Sequence, residues 1–354
     1  MKFFFLCDNN LPFLLNNKNY PVGGATIQSL NWINGLKKHN YNVVVISNNN
    51  IVNNSDYIIE NISFSNIFNF KSILLFRKLI KKYNPDFIYI SVPWWTNIFF
   101  YAANFKINKI IIQRISNDYL VDDRIKNKIK FLKYYIYNYY LSKTDILLCQ
   151  NKYQKEQLIN KFKKNKILKI FNPFSISNKI NSKSNRYYVA WVGIFQYQKN
   201  LKALLHIVDN MKNIKFKIAG ESLHTIDNET KENLLELKKR CNVEFVGLLN
   251  RKDILKFLSK AYCLLNTSHY EGFSNTYLES LSVGTPIVTR HQTDPDNIIH
   301  ENNLGISVSK YSELSDAIIE IIDKNNNDNY KDYIIKNHNP EKIAGKLIKI
   351  LKDD

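Results

Sequence analysis

Two glutamates eight positions apart, Glu271 and Glu279, stand in the segment richest in chemistry-bearing side chains, Ser268-His269-Tyr270-Glu271-Gly272-Phe273-Ser274-Asn275-Thr276-Tyr277-Leu278-Glu279-Ser280-Leu281-Ser282-Val283-Gly284-Thr285-Pro286. The small polar run Ser274–Thr276 reads as a helix start, and Gly284 with Pro286 beyond it reads as the end. A helix N-terminus offers backbone N–H groups and the positive end of the helix dipole, which together suit an anion such as a diphosphate. Carboxylates beside that anion would repel it if it were their ligand. They fit if each accepts hydrogen bonds from hydroxyls, such as those of a sugar and a ribose. Two plainer readings stay open: Thr276 and Glu279 have capping-box spacing, and Glu271 suits a loop charge.

Other groups could join such a site. Val189-Ala190-Trp191-Val192-Gly193-Ile194-Phe195-Gln196-Tyr197-Gln198-Lys199-Asn200 sets Lys199 at a helix start. A cation there is unfavourable unless an anion is bound; the alternative is an exposed lysine. Pro21-Val22-Gly23-Gly24-Ala25 precedes a helix, and its two glycines either admit a ligand close to the backbone or make an entry turn. His269 either lines the same pocket as Glu271 or is an ordinary loop histidine.

These residues need elements to position them. Short β-rich runs at Lys2–Leu6, Val43–Ser47, Phe87–Ser91, Lys109–Gln113, Ile146–Cys149 and Ile167–Ile170 alternate with helical stretches at Ala25–Lys38, Lys71–Tyr83, Arg124–Leu141 and Lys152–Lys161. An Asn- and Ser-rich stretch from Phe171 to Arg186 interrupts the rhythm. It restarts with strands at Tyr188–Val192, Lys215–Ala219, Val243–Val246, Tyr262–Asn266, Ile287–Thr289 and Gly305–Val308. Helices are expected near Asn200–Met211, Lys231–Arg240, Lys252–Ser259, Thr276–Val283, Ser312–Ile322 and Pro340–Leu351. Near-continuous apolar strands alternating with helices predict parallel α/β sheets covered on both faces. The expected domains are 1–172 and 187–338, joined by a linker at 173–186, with a final helix over 339–354 returning to the N-terminal domain. Asn-rich patches at Asn48–Asn54 and Asn325–Asn329 read as loop tips. In doubly wound domains, ligands bind beyond the carboxyl ends of the strands, which is where the motifs fall.

The segment Glu271-Gly272-Phe273-Ser274, with its second Glu at 279 and its Gly284-Thr285-Pro286 exit, resembles the E-x7-E motif of family 4 glycosyltransferases of the GT-B fold. Asn84-Pro85-Asp86-Phe87-Ile88-Tyr89, Thr144-Asp145-Ile146 and Phe171-Asn172-Pro173-Phe174 resemble later landmarks of that family, so the likeness covers nearly the whole chain. It implies two Rossmann-like domains facing a cleft. The implied activity is a retaining transfer of a hexose-type sugar from a nucleotide-diphosphate sugar, UDP or GDP, to a glycan or lipid-linked acceptor. Surface polysaccharide, lipopolysaccharide or glycoconjugate assembly would be the setting. Glu271 would contact the donor sugar's hydroxyls as the catalytic-site residue and Glu279 the ribose. Phe273, Ser274, Asn275 and Thr276 would meet the diphosphate through their backbone, with Lys199, Gly23 and Gly24 also on the donor. The family's paired Arg is replaced by Ile194, which cannot make a charged hydrogen bond. Its His after the fourth N-domain strand is also missing. There the chain reads Gln113-Arg114-Ile115-Ser116-Asn117-Asp118, which leaves Arg114, Asn117 and Asp118 for the acceptor side. No cofactor and no metal are expected.

Composition bounds the alternatives. The chain has 354 residues, a net charge of +19 and 45 % hydrophobic residues, which fits two folded domains and excludes disorder. The positive charge points to an anionic partner or to a solvated basic face. A nucleic-acid binder would explain the charge, but no zinc spacing, helix-turn-helix or RNP-like motif accompanies it. The Ile194 departure keeps an inactive scaffold as another reading. Cys7, Cys149, Cys241 and Cys263 form no C-x-x-C pair and read as buried free thiols in a reducing compartment. The short apolar N-terminus resembles no signal peptide, so a cytoplasmic protein is expected, with the inner face of an anionic membrane as a further location. In Arg124–Tyr140, helical spacing aligns Ile125, Ile129, Leu132, Ile136 and Tyr140, with lysines and tyrosines elsewhere. That pattern suits either a core-facing helix with a basic outer face or contact with an anionic membrane.

Overall fold

The computed structural model describes residues 2–17, 22–49, 56–64, 69–163, 166–176, 185–222, 226–324 and 330–353. Pro21, Asn325–Asn329, most of the Asn48–Asn54 patch and the middle of the expected linker, 177–184, lie outside them. Two compact units divide the chain: residues 1–175 with 338–354, and residues 176–337.

In the first unit, β1 (Lys2–Cys7), β2 (Tyr41–Ser47), β3 (Ile58–Asn61), β4 (Phe87–Ile90), β5 (Ile110–Arg114), β6 (Ile146–Cys149) and β7 (Lys166–Lys169) form a sheet in the order β3-β2-β1-β4-β5-β6-β7. Every pairing is parallel, for example Phe5 beside Val44 and Ile88. Successive side chains point to opposite faces, so Phe5 and Cys7 join one core while Phe4 and Leu6 join the other. α1 (Leu11–Asn16) and α2 (Gly24–Lys38) cover one face. α3 (Phe70–Tyr83), α4 (Ile98–Asn104), α5 (Phe131–Lys143) and α6 (Lys152–Lys161) cover the other.

The second unit repeats the plan. β8 (Tyr188–Val192), β9 (Phe216–Ala219), β10 (Val243–Gly247), β11 (Ala261–Leu265), β12 (Ile287–Arg290) and β13 (Gly305–Val308) pair in parallel, in the order β10-β9-β8-β11-β12-β13. Its helices are α7 (Leu201–Asn210), α8 (Asn228–Lys238), α9 (Arg251–Ser259), α10 (Asn275–Ser282), α11 (Ile298–Glu301), α12 (Leu314–Lys324) and α13 (Lys331–Asn337). Both sheets are the doubly wound α/β layers that the alternation predicts.

The last helix, α14 (Pro340–Lys352), belongs to the first unit and packs along α2. Gly35 of α2 permits the approach, since a Cβ there would lie 2.2 Å from the Pro340 carbonyl oxygen. His338 anchors the return by donating Nδ1–H to the Asn172 carbonyl at 2.7 Å. Burial pushes its imidazole down to about 4, so the ring is neutral.

Two expectations need correction. Arg124–Leu141 is not one helix. Asp122 accepts the Arg124 amide at 2.9 Å and pairs with its guanidinium, closing a separate 3₁₀ turn over Asp123–Asn127. Extended backbone at Lys130 then starts α5 afresh, and the new phase buries Tyr137, Tyr140 and Leu141 while leaving Leu132 outside. The cysteines also divide: Cys7, Cys149 and Cys263 are buried, but Cys241 is exposed because it lies in the turn after α8 rather than in a strand. No described helix is long and apolar enough to cross a membrane.

Candidate functional site

A cluster of charged and polar groups in the second unit lies at the carboxyl ends of β8 and β11. Glu271 is nearly buried. One carboxylate oxygen accepts a short hydrogen bond from Lys199 Nζ and another, at 2.8 Å, from Ser268 Oγ. Glu271 is therefore no solvated loop charge.

The position of Lys199 is fixed from below. It closes the 3₁₀ turn Tyr197–Lys199 that follows β8. Its carbonyl accepts from Thr267 Oγ1 at 2.8 Å, and Thr267 in turn accepts from Trp191 Nε1 at 3.0 Å. Gln198 Nε2 donates to the Tyr270 carbonyl and the His269 amide donates to the Gln198 carbonyl, both at 2.8 Å. Gly193 leaves room for the lysine stem, because a Cβ there would lie 3.3 Å from its Cδ and Cε. The two loops are thus stitched together, and the lysine–glutamate pair sits on a rigid base.

α10 begins directly beyond. Its N-cap is Ser274, which makes no side-chain cap bond and instead pairs its hydroxyl with that of Thr276 at 2.7 Å. Thr276 lies inside the helix, so the capping-box reading of Thr276 and Glu279 does not hold. Phe273 is buried, and Asn275 opens the helix. The amino end of α10 therefore lies on the same loop as Glu271, and its first turn holds no acidic residue.

Glu279 is buried one turn into α10. Burial pushes its carboxyl up to about 7, and the nearby Arg251 charge offsets part of that rise. No hydrogen bond to this carboxyl forms among the described residues. A buried carboxyl that one nearby charge offsets only in part is costly in a merely structural role and is characteristic of binding sites.

Arg251, the first residue of α9, was not among the sequence candidates. Burial lowers its guanidinium, and the charge of Glu279 opposes that shift. Its signal was positional: a basic residue at a helix start, one loop after β10, on the same strand edge as Lys199. Arg290 was missed in the same way. It ends β12, stacks 3.9 Å over the Tyr311 ring and donates to the His269 carbonyl at 3.4 Å. His269 lies against the ring of Tyr197, 4.8 Å between centroids, and its Nδ1 is 3.3 Å from the Tyr311 hydroxyl. Burial and Arg290 lower its imidazole, so it is a neutral packing group beside the site.

The candidates in the first unit are placed differently. Gly23 is the N-cap of α2, with open space where a Cβ would stand, and Gly24 is its first residue. Nothing in the described packing demands glycine at 23. Arg114 ends β5 but is buried. Its Nη2 is 3.4 Å from Asn172 Oδ1, while Nε and Nη1 meet no acceptor among the described residues. Asp118 is buried and accepts from Asn151 Nδ2 at 3.0 Å and Gln154 Nε2 at 2.9 Å, which ties its turn to the start of α6. Asn117 caps that turn through the Tyr119 amide. Arg114 and Asp118 are thus both buried in the first unit, at the carboxyl end of β5 and in the turn beyond it.

Comparison with known proteins bears on the fold and the family. Residues 174–330 match the family model described as glycosyl transferases group 1, and residues 22–151 match that of glycosyl transferase 4-like proteins. An uncharacterized glycosyltransferase of Methanocaldococcus jannaschii is 24 % identical over 204 residues, which are 56 % of this chain and 55 % of that protein. An alpha-monoglucosyldiacylglycerol synthase of Streptococcus pneumoniae is 26 % identical over 130 residues, 36 % of this chain and 29 % of that one. The matched stretches thus span about half or less of these relatives' lengths. The crystal structure of HepE from Anabaena, solved in complex with UDP, superposes over 100 % of both chains with a TM-score of 0.75 at 14 % identity, a likeness of fold.

Proposed function

From the premise that this chain belongs to the glycosyltransferases, joining a 4-like stretch to a group 1 stretch, we propose that it is a retaining glycosyltransferase. It moves a hexose-type sugar from a nucleotide-diphosphate sugar, UDP or GDP, to a glycan or lipid-linked acceptor. Surface polysaccharide or glycoconjugate assembly in the cytoplasm, at the inner face of a membrane, is the setting. Three buried free thiols suit a reducing compartment. The relative from Streptococcus pneumoniae, a glucosyldiacylglycerol synthase by name, supports a lipid-linked acceptor.

The observation that carries this reading is the pairing of Glu271 with Lys199 in front of the start of α10, whose first turn holds no acidic residue. Each partner of the pair is matched to a different part of one ligand. On donor binding, Lys199 transfers from Glu271 to the diphosphate, and the amino end of α10 adds its N–H groups and dipole. Glu271, released, accepts hydrogen bonds from the sugar hydroxyls. Glu279 accepts from the ribose. As the glycosidic bond to the diphosphate breaks, negative charge grows on the leaving phosphate, and Lys199 with the helix end stabilises it most in the transition state. Arg251 supplies basic character on the side of Glu279, where Ile194 supplies none. A retaining outcome rests on the family resemblance.

The test is incubation with UDP-, GDP-, ADP- and CMP-sugars, reading nucleotide release and the anomeric configuration of any product by NMR. Release from one nucleotide class, with the donor's configuration kept, supports the proposal. An inverted product would refute the retaining mechanism. No release and no binding of any sugar nucleotide would favour an inactive scaffold.

A further inference from the structure

The helices over one face of the first sheet present an unusual outer surface. α3, α4 and α5 each lie on the path between strands of a parallel sheet and pack side by side, α3 on α4 and α4 on α5. Their inner sides supply Phe76, Phe99, Phe100 and Tyr140 to the core. Their outer sides are apolar as well. Phe70 is 73 % exposed, Phe131 75 % and Leu132 70 %, with Leu74, Tyr135 and Tyr139 all more than half exposed. Scattered apolar residues on a surface need no explanation, but a group on adjoining helices does. The group is continuous across α5 and α4: Phe131 stands edge-on to Tyr135 at 4.6 Å, and Tyr139 edge-on to Tyr101 at 6.3 Å.

The charges on these helices have one sign. α3 carries five Lys or Arg residues and α5 two, and none of the three helices holds an Asp or Glu. The Lys133 ammonium lies over the Trp95 ring at 4.6 Å and that of Lys143 over Tyr139 at 5.5 Å, so cations and aromatic faces are interleaved on this surface. The outer helices of the second unit differ, since α12 alone carries Asp316, Glu320 and Asp323.

We propose that the α3–α4–α5 face seats this protein on an anionic lipid bilayer. Phe70, Leu74, Phe131 and Leu132 enter the boundary between headgroups and acyl chains, the tyrosines sit at headgroup level, and the lysines meet lipid phosphates. The chemistry excludes two other occupants. A second copy would bring two cationic faces together across a symmetric interface. A nucleic-acid duplex, its bases paired and stacked internally, would use the cations but leave the protruding phenylalanines in water. The proposal deepens the membrane setting of the proposed function, and it does not depend on transfer chemistry.

The experiment is flotation of the full chain with vesicles of phosphatidylcholine, alone or with about a third phosphatidylglycerol. The expected result is binding to the anionic vesicles, weakened by salt and about tenfold weaker or more on neutral ones. A Phe131→Ser/Leu132→Ser variant should lose about tenfold in partition with Tm and nucleotide binding unchanged, while Ile319→Ser on α12 behaves as wild type. Equal binding to both vesicle types, or a double variant that floats like wild type, would overturn the proposal. So would a dimer that the double variant dissociates. Failure here leaves the donor-site reading standing, and failure of nucleotide binding leaves the vesicle result standing.

Discussion

The carboxyl edges of the two sheets each bury an acidic residue, and the two are held in opposite ways. Asp8, just after β1, accepts from the amides of Asn10 and Leu11 at 3.0 and 3.1 Å and from the hydroxyls of Thr26 and Ser29 at 3.2 and 2.7 Å. Its bonds fasten α1 and α2 to the sheet, and its lone pairs are used up inside the fold. Glu271, after β11, is held by one cation and one hydroxyl, while Glu279 beside it has no hydrogen-bond donor among the described residues. The first arrangement is finished without a ligand. The second has a cation and two carboxyls that gain by exchanging partners with one.

Substitutions should separate the two edges. The largest effect is expected at Asp8: Asp8→Ala leaves four donors without their acceptor and should cost about 4 kcal/mol in denaturant unfolding. Nucleotide affinity should stay within about twofold of wild type, since the ligand edge is elsewhere. A large loss of affinity without loss of stability would erase the contrast.

Glu279 comes next, and its effect depends on pH. Its carboxyl titrates near 7 in the folded chain against an ordinary 4.5. The folded state therefore keeps a proton that the unfolded chain releases. This contribution is complete below about pH 4.5 and is lost as pH rises through 7, with a span of about 3 kcal/mol. Glu279→Gln should flatten that decline and raise Tm at pH 8. It should also abolish the gain in nucleotide affinity expected between pH 6 and 8, as the carboxylate that accepts ribose hydroxyls forms. Parallel pH–stability curves for variant and wild type would count against a buried, titrating Glu279.

Lys199→Ala should cost about 2 kcal/mol of stability, by leaving Glu271 buried with the Ser268 hydroxyl as its remaining hydrogen-bond donor among the described residues. The smallest effect sharpens the comparison. Ile194→Arg adds a cation to the loop that holds Lys199 and should tighten nucleotide binding by about tenfold, with Tm nearly unchanged.

Much of this was legible in the chain. Strand runs such as Ile146–Cys149 and Phe87–Ile90 fall where apolar continuity puts them, because buried parallel strands admit little else. β3 was missed: its run Ile58–Asn61 is short, ends in Glu-Asn and lies at a sheet edge, so burial leaves little mark on it. α5 was misread because a local bond, Asp122 to the Arg124 amide, overrides a plausible helical period. At the site, Glu271, Glu279 and Lys199 announce themselves by motif and spacing. Arg251 and Arg290 do not, since each is an isolated base that becomes part of the cluster only when strand order brings β10, β11 and β12 to one edge.

The most direct test of the central claim is a calorimetric titration of the preferred nucleoside diphosphate into wild type, Lys199→Ala and Asp8→Ala at pH 8. Lys199→Ala is expected to weaken binding by about 10- to 100-fold, while Asp8→Ala, still folded, binds as wild type does. Undiminished binding by Lys199→Ala would contradict the assignment of this edge as the donor site.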